Sequence, residues 1–414
     1  MSESQTCLIV GASHGGVACA YALRQEGWAG RIVLIDRDPE LPYHRPPLSK
    51  GYLNGGGAPA DYLLRSADSY AQQRIELRLG EGVANVDPEQ RRLRLDSGEE
   101  LDYDQLVLAT GARPFLPPLP GLADCPVAVP LRTLADVGSL RDALGGEATG
   151  KRAVVIGGGY IGLEVAASLR KLGVAVTVLE REGRLLARVT APEMSAYFAD
   201  LHARHGVDLR TGAEVTAISR DDGDWTVHCA DGTAHPADLI VVGVGIRLNT
   251  ELATAAGLDV DDGIVVDGAC RTSDPHIYAI GDCTRHRNPF YGRQLRLESV
   301  QNAEEQGAVA AAALCGKPAD YDAIPWFWSD QYDSKLQIVG LASGYDDIVL
   351  RRESTDPDRL SAWYFRGGDL IAVDAVNSPK AYVIGGKFIR ARIPINRGAL
   401  ADTDQPLRPA TLKQ

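Results

Sequence analysis

Gly157, Gly159 and Gly162 stand at the spacing GxGxxG, and Glu180 closes the apolar run AVTVLE that comes after them. This pattern serves dinucleotide binding. The first glycine permits a tight turn, the second lets a pyrophosphate approach backbone N–H groups, and the third lets helix and strand pack closely. An acid at the end of the second strand accepts both ribose hydroxyls of an adenosine and repels a 2′-phosphate, which favours NADH over NADPH. A second such set lies near the amino terminus. GASHGG places Gly11 and Gly16 at the outer fingerprint positions with Ser13 between them, and RIVLID ends in Asp36, with Arg37 and then Asp38 after it. Either acid can serve that site. Between the two sets, LPYHRPPLSK (41–50) carries Arg45 and Lys50 on a segment that two consecutive prolines make stiff and extended, with no helix before them.

Strand, turn and helix must hold each set in place. Ala153 to Ile156 is a short β-branched run, and Ile161, Val165, Ala166, Leu169 and Leu172 then recur at helical spacing, with Gly173 suited to the helix end. The helix start turns its positive dipole end toward the phosphates. In the first set, TCLIV (6–10), Val17 to Arg24, Gly27 and RIVLID repeat the arrangement. Two further stretches also repeat one another: 94–113 and 226–247 each read as strand, Ser-Gly or Asp-Gly turn, strand and buried run ending in glycine. The chain therefore carries two dinucleotide-binding folds. The region 58–79, with Arg65, Arg74 and Arg78, reads as mostly helical, and the proline-rich 114–130 reads as a connection.

Length and composition bound the rest. A chain of 414 residues holds two or three domains, and 45% hydrophobic with 24% charged residues is ordinary for a globular protein. The net charge of −12 excludes a general nucleic-acid binder, which needs a basic face. No leader with a charged start and apolar core is visible, and no apolar run reaches the roughly 18 to 20 residues of a membrane span, so a soluble cytoplasmic protein is expected. Seven scattered cysteines form no CxxC pair, so neither a redox dithiol nor a metal site is expected.

Beyond 247 the pattern returns to the first fold. GIVVD (263–267) is a short strand, YAIGDC places Gly281 and Asp282 at a strand end where ligands of open parallel sheets bind, and 298–314 is an alanine-rich helix. From Ile324 the character changes. PWFWSDQY precedes strand-like runs at 336–341, 348–352, 360–365 and 370–376, which predicts a mostly antiparallel sheet with a final helix.

GASHGG, LPYHRPPLSK, LVLATGARP, VIGGGYIGLEVAASLRKLG, YAIGDC and ESVQNAEEQG, in this order, resemble the FAD-dependent, NADH-using ferredoxin reductases of bacterial oxygenase systems, the putidaredoxin reductase and biphenyl dioxygenase reductase type of glutathione-reductase-like flavoprotein. The resemblance covers nearly the whole chain. It implies an α/β protein with two Rossmann-like dinucleotide-binding domains and a carboxy-terminal α+β domain: an FAD domain over 1–115 and 247–323, an NAD domain over 116–246, and a third domain over 324–414. It places Lys50 near flavin N5 and brings Glu164 of IGLE to the same place. There an opposed lysine and glutamate would hold charge as the flavin takes hydride. Candidate flavin-side contacts are Gly11, Ser13, His14, Gly15, Gly16, Asp36, Arg37, Arg45, Pro46, Lys50, Val83, Ala109, Thr110, Gly111, Arg113, Gly281, Asp282, Ser299, Val300 and Trp328. Those for the nicotinamide nucleotide are Gly157, Gly159, Tyr160, Ile161, Gly162, Glu164, Glu180, Arg188 and Gly245. Ser13 departs from the usual glycine, and Arg37 stands where many relatives have an acid.

Nicotinamide delivers two electrons as hydride, whereas a flavin releases them one at a time. Without a dithiol to keep the pair, the simplest acceptor is an external one-electron carrier, so NADH, FAD and a two-iron ferredoxin form the expected route to an oxygenase. Alternatives on the same fold are an NADH oxidase, peroxidase or disulfide reductase, although no cysteine lies between Cys19 and Cys125 where those usually place one. A redox-gated binding protein resembling apoptosis-inducing factor is a third. Arg285, Arg287, Arg293 and Arg296 offer a local positive run for an acidic ferredoxin, with Arg65 and the Arg351-Arg352 pair as further candidates. A monomer or weak homodimer is expected.

Overall fold

The computed structural model describes residues 4–221, 223–353, 356 and 358–413. The chain divides into two compact units, one formed by Met1–His44, Pro59–Arg113 and Arg247–Pro325, the other by Arg45–Ala58, Pro114–Ile246 and Trp326–Gln414.

In the first unit five strands form a parallel sheet in the order Ile277–Ala279, Gln105–Leu108, Thr6–Val10, Arg31–Asp36, Ile75–Leu79. Its central strands are apolar without alternation because both faces are covered. Helix His14–Glu26 ends at Gly27, which takes the left-handed conformation (φ 98°) at its carboxyl end. Helix Val300–Leu314 packs on it so closely that a Cβ at Gly307 would come within 2.8 Å of the Gly15 carbonyl. One apolar cluster, including Ile9, Leu23, Leu34, Val107 and Ala311, fills that side of the sheet.

The second unit repeats the design. Its parallel sheet runs Asp208–Thr211, Ala175–Glu180, Arg152–Ile156, Leu239–Val242, Ala128–Pro130. Helix Tyr160–Lys171 follows the glycine turn, and Gly173 (φ 81°) lies just past its end. The carboxy-terminal part is an antiparallel sheet in the order Trp326–Gln331, Ser334–Gly340, Asp369–Val376, Leu360–Arg366, Asp347–Arg352. Helix Pro379–Ala391 lies on it, and a Cβ at Gly385 would come within 2.6 Å of Val373.

Two local expectations are corrected. Residues 58–79 are not mostly helical: a short turn at Pro59–Tyr62 precedes helix Ala67–Gln72, and Ile75–Leu79 is a strand in parallel register with Ile32 to Asp36. Arg74, in the left-handed region (φ 51°), ends the helical path, and pairing with the sheet edge decides the rest. The proline pair is not extended either. Pro46 and Pro47 open a 3-10 turn over Pro46–Ser49, since a fixed φ near −65° also suits the first turn of a helix, where no N–H is needed. Among the described residues no helix is long and apolar enough to cross a membrane.

Candidate functional site

Each parallel sheet ends in a glycine-lined cradle. In the first unit a Cβ at Gly11 would collide with the Ala109 carbonyl, and one at Gly16 with the carbonyl of Gly11, so neither glycine is replaceable at this spacing. Ser13 is the N-cap of helix His14–Glu26 but makes no side-chain cap hydrogen bond. The resulting amide array suits phosphate oxygens. Asp36 accepts the N–H of Ala12 at 2.5 Å and that of Asp38 at 2.9 Å, which fixes the acid beside the glycine turn. Asp38 is engaged elsewhere, accepting from Tyr43 Oη at 2.7 Å. Arg37 points outward to Asp96 at 3.4 Å.

The second cradle matches in detail. Gly157 and Gly162 have no room for a Cβ, the position over Gly159 is open, and Gly159 caps helix Tyr160–Lys171 with backbone alone. Glu180 accepts from Gly158 N–H at 2.6 Å and from Glu182 N–H at 2.8 Å. These glycines and acids fit two dinucleotides. Around the second cradle Ile161 is exposed, Gly245 takes φ 121°, and Arg188 is exposed in a loop that Arg184 ties down through the carbonyls of Ala187 and Thr190. Tyr160 packs against Phe327 with ring centroids 4.7 Å apart.

Within the second unit the structure brings Lys50 and Glu164 together. Lys50 Nζ donates to Glu164 Oε2 at 2.5 Å, the Ser49 hydroxyl donates to the same oxygen at 2.5 Å, and the Ser329 hydroxyl donates to Oε1 at 2.7 Å. The carboxylate is only 2% exposed, and a buried charge is tolerated when paired and hydrogen-bonded on both oxygens. Three parts of the sequence meet there: the proline turn, the second turn of the nucleotide helix, and the first strand of the carboxy-terminal sheet. Ser168 adds a bond from that helix to the Ser49 carbonyl at 2.7 Å, fixing the turn that bears Lys50. Pro46 opens this turn, and Arg45 donates to the Arg132 carbonyl at 2.6 Å. Trp328 lies on the strand beside Ser329, its ring 5.6 Å from that of Trp326.

The remaining candidates of the first unit surround its sheet. Val83 is buried, and Gly111 takes φ 59°. Thr110 donates to the Asn249 carbonyl at 2.6 Å, while Arg113 donates to the Asn249 side chain and to Glu251. Ser299 caps helix Val300–Leu314 by accepting from Asn302 N–H at 3.1 Å. Gly281 N–H donates to Gln306 Oε1 at 2.7 Å, and Thr284 donates to the same oxygen at 3.0 Å, so one buried amide holds the turn that presents Asp282. Sequence reasoning missed Asn249, Gln306, Ser49 and Ser329. Each acts through contacts distant in sequence, and none has a spacing signal.

The cationic candidates separate by pairing. Arg285 meets Asp261 at 2.5 Å, and Arg296 meets Asp262 and Glu298. Arg287 and Arg293 are exposed without an ion pair among the described residues. Arg65 is exposed over the Tyr21 ring. Arg351 is a correction: it is 2% exposed and donates to the carbonyls of Leu400, Asp402 and Gln405, so it holds the carboxy-terminal segment and is no docking group. Burial pushes the Cys19 thiol up to about 12 and raises those of Cys7, Cys270 and Cys283, which keeps them as unreactive thiols.

The family described as pyridine nucleotide-disulphide oxidoreductase matches residues 5–307, and the reductase C-terminal family matches 326–411. Putidaredoxin reductase of Pseudomonas putida is 45% identical over 99% of this chain and 97% of its own length. The ferredoxin reductase subunit of the 5,5'-dehydrodivanillate O-demethylase of Sphingobium is 44% identical over 99% of this chain and 98% of its own. The crystal structure of the covalent putidaredoxin reductase–putidaredoxin complex superposes with a TM-score of 0.93 at 44% identity, covering 98% of each chain.

Proposed function

Because the chain belongs to the pyridine nucleotide-disulphide oxidoreductases and carries their reductase C-terminal domain, we propose that it is an NADH-dependent ferredoxin reductase, passing electrons through FAD to a two-iron ferredoxin that feeds an oxygenase. The observation that carries this reading is the doubled cradle, two glycine turns each closed by its own strand-end acid. When bound, FAD supplies a two-electron acceptor for NADH that can give its electrons up singly.

The chain's own residues bind, orient and hold charge. Gly11, Gly16 and the first turn of helix His14–Glu26 would take the FAD pyrophosphate, with Asp36 at the ribose. Gly157, Gly159, Gly162 and Glu180 would do the same for NADH, and the negative Glu180 disfavours a 2′-phosphate. Lys50 and Glu164 are the pair we assign to the reacting rings. Their ion pair, fixed from both sides by serines, keeps an ammonium and a carboxylate in set positions and needs little rearrangement when charge develops. Arg287 and Arg293, exposed and without an ion pair among the described residues, are cations offered to an acidic ferredoxin. The reading takes 1–115 with 247–323 as the FAD domain, 116–246 as the NAD domain and 324–414 as the third, in a cytoplasmic monomer or weak homodimer.

The test is an anaerobic NADH titration of the purified protein followed by visible absorbance, with cytochrome c reduction then measured with and without a two-iron ferredoxin. Bleaching of a yellow protein at one NADH per chain and ferredoxin-dependent turnover are expected. A colourless protein that turns over NADH without ferredoxin would overturn the reading.

A further inference from the structure

Behind Glu164 a line of buried polar side chains continues to the surface of the same unit. Ser329, Gln331 and His202 are each 0% exposed. Ser329 Oγ lies 2.7 Å from Glu164 Oε1, Gln331 Nε2 lies 3.2 Å from Ser329 Oγ, His202 Nε2 lies 2.8 Å from Gln331 Oε1, and the Tyr332 hydroxyl lies 3.4 Å from His202 Nδ1.

Donor and acceptor chemistry fixes the direction of every link. An ionised carboxylate only accepts, so Ser329 must spend its single proton on Glu164 and accept from the Gln331 amide. That orients the amide with its oxygen toward His202, so Nε2 carries the imidazole proton and Nδ1 is left to accept from Tyr332. Burial pushes His202 down to about 4, which leaves the ring neutral with one tautomer to choose, and raises the Tyr332 phenol, which keeps its proton. All four donors point toward Glu164. In such a row each bond polarises the next.

The outer end is held by an unusual backbone. Tyr332 is the first residue of the two-residue loop between strands Trp326–Gln331 and Ser334–Gly340, and its φ of 56° is one that glycine normally supplies there. That conformation lays its ring on His205, centroids 3.6 Å apart, and edge-on to His202, and Lys171 donates to its carbonyl at 3.3 Å. Two ring contacts, one hydroxyl contact and one bond to its backbone carbonyl hold Tyr332 in that conformation.

The geometry points to Ser329, Gln331 and His202 as positioning residues that fix the orientation of Glu164 toward Lys50. This rests on the reading of Glu164 as part of the reacting site. The row orients and does not conduct, because an amide in the middle cannot pass a proton on without becoming an imidic acid. The charged and titratable groups facing Glu164 are Lys50 from the proline turn and Tyr160 from its own helix, with Asp374 of strand Asp369–Val376 acting on the same phenol. From strand Trp326–Gln331 only Ser329 meets it, since Asp330 points to the other face, opposite Lys335.

The test uses the FAD-loaded enzyme with Ser329→Ala, Ser329→Thr, Gln331→Leu and Glu164→Gln. The hydrogen bonding of Glu164 is read by infrared difference spectroscopy of the carboxylate band that Glu164→Gln abolishes, and the rate of flavin reduction by NADH is read in parallel. Loss of one charge-directed hydrogen bond should shift that band and slow flavin reduction about tenfold in Ser329→Ala. Ser329→Thr should restore both, and Gln331→Leu, which leaves Ser329 in place, should move both the same way by less. Should Ser329→Ala fold poorly, Gln331→Leu carries the test. An unmoved carboxylate band in Ser329→Ala and Gln331→Leu would overturn the inference. Normal flavin reduction in Glu164→Gln would instead overturn the reading of Glu164, with the infrared result still deciding the role of Ser329.

Discussion

Glu164 lies 2.5 Å from Lys50 although 114 residues separate them in the chain. One partner comes from the second turn of the helix that follows the glycine loop, the other from the end of a 3-10 turn built on two prolines. Hydroxyls of Ser49 and Ser329 bond the same carboxylate, so protein donors set the position of the acid in the pair.

Removing Lys50 tests that pairing. Lys50→Met leaves a nearly buried carboxylate with two serine donors and no counter-charge, which should cost about 3 kcal/mol of stability. Glu164→Gln keeps acceptor capacity for Ser329 and should cost less. Both should slow flavin reduction by NADH at least tenfold in anaerobic stopped-flow measurements. Wild-type rates in both variants would remove the pair from the reaction.

Cofactor choice is assigned to Glu180. Its carboxylate braces Gly158, and with the ribose set there as proposed, Glu180→Ala should raise the NADPH to NADH ratio of kcat/KM by about tenfold. An unchanged ratio would place the acid away from the ribose.

Asp374 should make stability fall as pH rises. Burial raises its carboxyl from 3.8 to about 6 despite donors from Thr190 and Tyr364. Between those values the folded state holds a proton that the unfolded state has lost, so the protonated acid stabilises the fold below about 4 and that contribution disappears by about 6, roughly 3 kcal/mol in all. His202 and His286, both pushed down to about 4, act oppositely, since the unfolded chain protonates them first as pH falls below 6.5. The comparison is therefore between wild type and Asp374→Asn by urea unfolding from pH 4 to 8. The variant should gain relative stability steadily up to pH 6, and a flat difference would refute the assignment.

Ferredoxin docking should depend on Arg287 and Arg293. Reversing both to glutamate should weaken ferredoxin reduction about tenfold at low salt while leaving NADH–ferricyanide activity unchanged. Reversing Arg285 should chiefly disturb its contact with Asp261. Equal loss in both assays for Arg287 and Arg293 would exclude them as the docking surface.

The amino-acid sequence alone determined the two glycine turns, the acid that closes the second and the antiparallel character of the last part, because glycine spacing, β-branched runs and strand-end acids are local and carry their own backbone constraints; the choice of Asp36 over Asp38 for the first came only from the contact of Asp36 with Ala12 N–H. Long-range packing decided what local pattern could not. Residues 75–79 look like a helix continuation until a neighbouring strand offers its edge. Arg351 looks like a surface cation until three carbonyls enclose it. Ser329 sits in an aromatic-rich run with nothing to mark it, and acquires meaning only because the fold of the second unit carries that strand to the buried face of the glycine helix. A hydroxyl has no periodicity of its own, and its role is set by the one carboxylate that burial leaves it to satisfy.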